Sequence, residues 1–246
     1  MVVDIYLVIS RVSDSIFAHQ KSYTYSSFFT AHSGIECHFS KLFNISILHV
    51  EYRLSPEHFL PAPVEDAMAV YQTLLHRKIS PSQLTFMGDS AGGGLSLLTI
   101  QSLIEQRLPV PRGVVTLSPW TDISSSGESV KRNRDVDVML NMDDNTWMIE
   151  QLLGPKYAEL SANSSAYSPL FGSFKGFPPM YINVGTAELL EDDARRVWKK
   201  AQDDGVDVTF EEGLHLMHIY PVFFSYFPEA RHTLDNIKQW LEKLYA

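Results

Sequence analysis

Cysteine is almost absent from this chain, and so is early glycine. Cys37 is the single thiol among 246 residues, and Gly34 is the one glycine before Gly88. A lone thiol excludes an internal disulfide, so nothing points to an oxidising compartment. His38 follows Cys37 and raises the idea of an activated thiol, but a small buried hydrophobe is the expected role of Cys37. Positive charge is short as well: 20 Lys and Arg against 29 Asp and Glu leave a net charge of −9. A nucleic-acid or anionic-membrane partner needs clustered cations, so neither is expected. A long apolar run is also missing. The N-terminal MVVDIYLVIS is interrupted by Asp4, follows no basic residue and leads to no small-residue cleavage site. It reads as neither signal peptide nor membrane span, which makes the cytoplasm the expected location. Asp135 to Asp144 is acid-rich but lacks ligand spacing, so it reads as a solvated face. No metal and no cofactor is expected.

What is present is ordinary globular material. Hydrophobic content is 45% and charged content 20%, and the length suits one α/β domain spanning residues 1–246. Five short runs are rich in apolar and β-branched residues: Ile45–Glu51, Leu84–Met87, Gly113–Leu117, Met180–Val184 and Val208–Glu211. Several are nearly continuous in apolar residues, as strands buried on both faces of a parallel sheet are. Helical patterns separate them, over Val64–Arg77, Ala91–Gln106, Glu191–Asp203 and Glu229–Tyr245. This alternation predicts a mainly parallel α/β sheet flanked by helices. Asp122–Lys175 breaks the rhythm, with one helical piece near Asp144–Leu153. A segment of this kind above a sheet is expected to form a lid or pocket wall.

The chemistry centres on Gly88-Asp89-Ser90-Ala91-Gly92. A Gly-x-Ser-x-Gly match alone is weak, since a chain this long yields one by chance roughly once in ten. Its position is more informative. It joins a predicted strand to a predicted helix, where a nucleophile elbow belongs. Glycines there allow close passage of neighbouring backbone around a strained serine. The helix N-terminus favours developing negative charge, and the amide of Ala91 can donate to an oxyanion.

A serine nucleophile needs a histidine base, and that histidine needs an acid to orient it. On such a sheet the chain order is Ser, then Asp or Glu, then His. After the Met180–Val184 run come Glu188, Asp192 and Asp193; after Val208–Glu211 come His215 and His218. The required types therefore occur in the required order at the carboxyl ends of late strands. On spacing alone, either histidine and any of the three acids can serve. Asp192 and Asp193 also fit a helix N-terminal role, complementing the dipole.

From Glu51 onward the chain resembles the hormone-sensitive-lipase-like α/β-hydrolases, the family of many carboxylesterases and arylacetamide deacetylases. The resemblance covers about four-fifths of the chain. It rests on Tyr52-Arg53-Leu54-Ser55-Pro56-Glu57-His58, Pro61-Ala62-Pro63-Val64-Glu65-Asp66-Ala67, Gly88-Asp89-Ser90-Ala91-Gly92-Gly93-Gly94 and Leu117-Ser118-Pro119-Trp120-Thr121-Asp122, with Ser168-Pro169-Leu170 and Gly176-Phe177-Pro178-Pro179 further on. It implies Ser90 as nucleophile, Glu188 as acid and His218 as base, with Ala91 in the oxyanion hole. It implies a small-molecule ester substrate, short-chain or aryl, and no cofactor. It says nothing of oligomeric state.

The family also carries a His-Gly-Gly-Gly turn upstream of the Tyr-Arg-Leu stretch. Here that window reads Phe17-Ala18-His19-Gln20-Lys21-Ser22, without the glycines. Residues 1–40 match poorly, and the resemblance implies that part of the usual N-terminal strands and cap is lacking. An oxyanion hole missing one donor typically loses about 2.7–4 kcal/mol of transition-state stabilisation. The alternative expectation is therefore an impaired or inactive hydrolase-fold binding protein or fragment.

Overall fold

The computed structural model describes residues 5–9, 29–141 and 145–246, with side chains from residue 34 onward. The described residues form a six-stranded sheet: β1 (Ile5–Ile9), β2 (Ser46–His49), β3 (Leu84–Asp89), β4 (Gly113–Leu117), β5 (Met180–Gly185) and β6 (Val208–Gly213), in the order β2-β1-β3-β4-β5-β6. From β3 to β6 the strands are parallel. The helices are α1 (Phe29–Phe43), α2 (Ala62–His76), α3 (Ser90–Glu105), α4 (Ser129–Arg132), α5 (Asn145–Leu153), α6 (Glu191–Asp203) and α7 (Pro228–Tyr245).

The parallel strands are buried throughout β3, β4 and β5, which is why their sequences run apolar without alternation. Successive residues still point to opposite faces. Phe86, Val114 and Ile182 join the core beneath α2, α3 and α6, while Met87, Val115 and Tyr181 join the core beneath α1 and α7. Each layer of helices thus covers one face of the sheet.

The expected mainly parallel α/β sheet is what forms, with one correction. The Ile45–Glu51 run is not hydrogen-bonded to the parallel set: β1 lies between, antiparallel to both β2 and β3, so β2 runs in the same direction as β3 without joining its ladder. The run is also less buried than its composition suggests. All four residues of β2 are half-buried at the sheet edge, so its apolar run does not signal burial on two faces. Two elements were not foreseen. β1 is the Ile5–Ile9 part of the apolar N-terminal run, and α1 hides its spacing behind His, Ser and Gly residues. Within α1, Phe39 and Phe43 are buried against Leu234, Ile237 and Leu241 of α7, flanked by Ile35 and Leu42. Positions 35, 39, 42 and 43 share one face of a helix. Cys37 lies off that face and is exposed, which corrects the expectation of a buried hydrophobe. His38 stacks on Phe224 at 3.8 Å between ring centroids.

Candidate active site

Four parallel strands end at one rim of the sheet, and each delivers a polar side chain there. Ser90 follows β3 and opens α3, with φ of +53°. Left-handed backbone at a non-glycine residue is strained, and such residues cluster where a site demands them. The tight turn explains the neighbouring glycines. A Cβ at Gly88 would lie 2.4 Å from the Gly92 carbonyl oxygen, and one at Gly94 would lie 2.0 Å from that of Trp120.

His218 follows β6, and its Nε2 sits 2.9 Å from Ser90 Oγ. Glu188 follows β5, and its Oε2 lies 3.4 Å from His218 Nδ1. Ser90, Glu188 and His218 are 4%, 0% and 1% exposed, so the three sit below the surface. Neither His218 Nδ1 nor Glu188 Oε1 has a hydrogen-bond partner. A small ring adjustment would turn the 3.4 Å approach into a bond, as sites of this kind tighten on binding ligand. Burial pushes the Glu188 carboxyl above the usual carboxylate range, and nearby Asp137 adds to this; His218 and the Ser118 hydroxyl pull the other way.

The strand β4 contributes Ser118, a residue that sequence reasoning did not single out. Its hydroxyl donates to Glu188 Oε2 at 2.8 Å and accepts from the Ile219 amide at 2.9 Å. Ser118 and Ile219 both have left-handed backbone, with φ of +49° and +47°. A serine after a strand has no distinctive spacing. Its only trace in the sequence is the Leu117-Ser118-Pro119-Trp120 stretch already quoted.

The competing candidates lie elsewhere. His215 is exposed, and its amide donates to Thr186 Oγ1 at 2.7 Å. Asp193 is fully buried and accepts 2.8 Å bonds from the amides of Thr121 and Asp122, anchoring the segment after β4. Burial raises its pKa to about 7, against those amide bonds. Asp192 accepts from the Ser129 amide at 2.8 Å and pairs with Arg132. In the acid-rich stretch, Asp137 accepts from the Leu189 amide at 2.8 Å, bracing the turn that carries Glu188. Ala91 lies in the first turn of α3, where amides lack intrahelical partners. The Phe17–Ser22 window lies outside the described residues. Among the described residues, no group of three His, Cys, Asp or Glu side chains is placed to hold a metal. No described helix is long and apolar enough to cross a membrane.

Beside Ser90 opens a cavity of about 590 Å³, within the range that takes small organic ligands. One wall comes from the segment after β2, including Tyr52 and Leu60. The other comes from Trp120 and from α5, including Met148. Among the described residues no charged side chain lines it.

This arrangement has relatives. A profile of the α/β-hydrolase fold matches residues 16–222. An acetyl-hydrolase of Streptomyces hygroscopicus is 35% identical over 190 residues, covering 77% of this chain and 62% of that protein. An esterase of Acinetobacter venetianus is 31% identical over 200 residues, covering 81% and 65%. The chain thus spans just under two thirds of the length of these two relatives. A crystal structure of an esterase from the bacterial hormone-sensitive lipase family superposes with a TM-score of 0.82 at 33% identity, covering 87% of this chain and 71% of that one.

Proposed function

Because the chain belongs to the α/β-hydrolase fold family, in its hormone-sensitive-lipase-like branch, we propose that it hydrolyses carboxylic esters through Ser90, His218 and Glu188. The observation that carries this reading is the 2.9 Å approach of His218 Nε2 to the hydroxyl of a strained, buried serine. The esterase and acetyl-hydrolase names of the relatives support the reaction class.

In the proposed cycle, Ser90 Oγ attacks the acyl carbonyl as His218 Nε2 takes its proton. The carbonyl oxygen becomes an oxyanion facing the Ala91 amide and the N-terminus of α3. His218 then protonates the departing alcohol oxygen, leaving an acyl-serine. Water attacks that ester by the same proton route, releasing the acid and restoring Ser90. Glu188 holds the proton of Nδ1 toward itself and stabilises the charged ring. Residues 122–175 act as pocket wall, supplying Ile123, Leu140, Met148 and Tyr167 to the cavity beside Ser90. The resemblance brings short-chain and aryl esters within range, and an uncharged, mostly apolar lining accepts both.

The test is hydrolysis of p-nitrophenyl butyrate by the purified chain beside Ser90→Ala. Turnover that drops at least 10³-fold in the variant supports Ser90 as nucleophile. Equal rates from two folded proteins would overturn the reading.

A further inference from the structure

The residue after His218 holds a backbone conformation that its own side chain opposes. Ile219 has φ of +47° and ψ of +33°. For a β-branched residue the left-handed region is an outlier, and it persists only where the surroundings enforce it.

Two anchors enforce it here. On one side the Ile219 amide donates to Ser118 Oγ at 2.9 Å. On the other, Tyr220 is 1% exposed, and its ring lies against the end of β6, where a Cβ at Gly213 would meet Tyr220 Cε1 at 2.5 Å. The Tyr220 hydroxyl accepts from Asn183 Nδ2 at 2.8 Å and stands 2.6 Å from Thr233 Oγ1. Thr233 gives its single hydroxyl proton to Glu211 Oε1 at 2.8 Å, so the proton between Tyr220 and Thr233 comes from Tyr220. The donations therefore run one way, from Asn183 through Tyr220 and Thr233 to a carboxylate. Glu211 is fixed in turn by the Tyr181 hydroxyl and by Asn236 Nδ2, which also donate to it. Tyr220 is thus pinned to β5, β6 and α7 together.

From this arrangement we propose that the Tyr220 hydroxyl is a positioning group for His218: it keeps Ile219 left-handed, and the left-handed turn aims the His218 ring at Ser90. The proposal rests on the reading of His218 as the base. An unrestrained isoleucine leaves the left-handed region about nine times in ten, and His218, one peptide away, turns with it. The 2.9 Å contact with Ser90 Oγ is then lost in most molecules. A glycine at this position needs no such clasp, because it populates both signs of φ about equally.

The first arm compares Tyr220→Phe in two backgrounds, with p-nitrophenyl butyrate as substrate. The phenyl ring still fills the space on Gly213, and the hydroxyl alone is lost. In the parent, kcat should fall about tenfold with KM nearly unchanged. In an Ile219→Gly background the same change should cost about twofold, whatever rate Ile219→Gly itself gives. A role in stability alone predicts no such relief, since glycine adds unfolded-chain entropy to the loss. Thr233→Val, which breaks the chain of donors one link further on, should show the same dependence on residue 219 and serves where Tyr220→Phe does not fold. An equal loss in both backgrounds, or a raised KM with kcat held, overturns the clasp while ester hydrolysis stands. The second arm does not need turnover. In a carbon–proton NMR spectrum of the imidazole rings, the His218 Cε1 signal should shift or broaden in Tyr220→Phe, and much less once Ile219→Gly is present. A signal unmoved by Tyr220→Phe overturns the clasp. A signal that responds in a protein without turnover strikes the reading of His218 as base and leaves the clasp in place.

Discussion

Ser118 uses both capacities of its hydroxyl, donating to Glu188 Oε2 and accepting from the Ile219 amide. Removing it leaves a part-buried amide without its partner and takes a donor from a fully buried carboxylate. Ser118→Ala is therefore expected to lower kcat about tenfold, the size of one charge-assisted hydrogen bond, with KM nearly unchanged. A less well satisfied carboxylate binds its proton more readily. The acid limb of the kcat/KM profile should then move to higher pH, a change that general loosening of the fold would not produce. At this scale the sequence was legible where chemistry constrains order. Order along the chain points to Ser90 and leaves three acids and two histidines open; the family resemblance singles out Glu188 and His218, and the structure brings those two side chains and Ser90 together. Ser118 carries no such order, since its role comes from a left-handed backbone angle that no residue pattern announces. Exposure of Cys37 was hidden for a related reason: without α1 in hand, its place on a helix face could not be assigned.

Among the elements, α1 and β2 show what local pattern misses. The apolar positions of α1 number four in one stripe, diluted by His38, Ser40 and Lys41, so the helix is held by packing on α7 more than by propensity. Phe39 is 1% exposed and meets Phe43 at 5.4 Å between ring centroids. Phe39→Ala should cost about 3–5 kcal/mol of stability in urea unfolding, through the cavity it leaves. A modest loss of activity per folded molecule is expected beside the loss of stability, because the Phe39 cluster also holds Val222 and Phe224 at the end of the His218 loop. Strand pairing is the other blind spot. A run such as Ile45–Glu51 reports apolar content and not its hydrogen-bonding neighbour, which here is the antiparallel β1. The interior strands β3, β4 and β5 were readable because burial on both faces leaves an almost unbroken apolar sequence.

Over the whole molecule, stability is tied to pH through a carboxyl far from titration in an open chain. Asp193 joins α6 to the segment after β4, and its pKa is raised from 3.8 to about 7 in the folded protein. Below 3.8 both states hold the proton and nothing is lost. As pH rises from there, the unfolded chain releases its proton first, so folding becomes less favourable until about pH 7. The full loss is roughly 4 kcal/mol. Asp193→Asn keeps an acceptor for the Thr121 and Asp122 amides and removes the charge. Its melting temperature should exceed the parent's most at pH 8, with the gap narrowing as pH falls to 5. A gap independent of pH in a thermal unfolding series would contradict this. Parallel strands also explain why the site assembles at all. β3, β4, β5 and β6 point the same way, so the residues after each arrive at one rim regardless of how far apart they lie in the chain. Glu188 after β5 and the Ile219 amide next to His218 after β6 both bond to the same Ser118 oxygen. The backbone that follows His218 and the carboxylate of Glu188 are thus linked through one atom, so Ser118 fixes the spacing of the two loops at the rim.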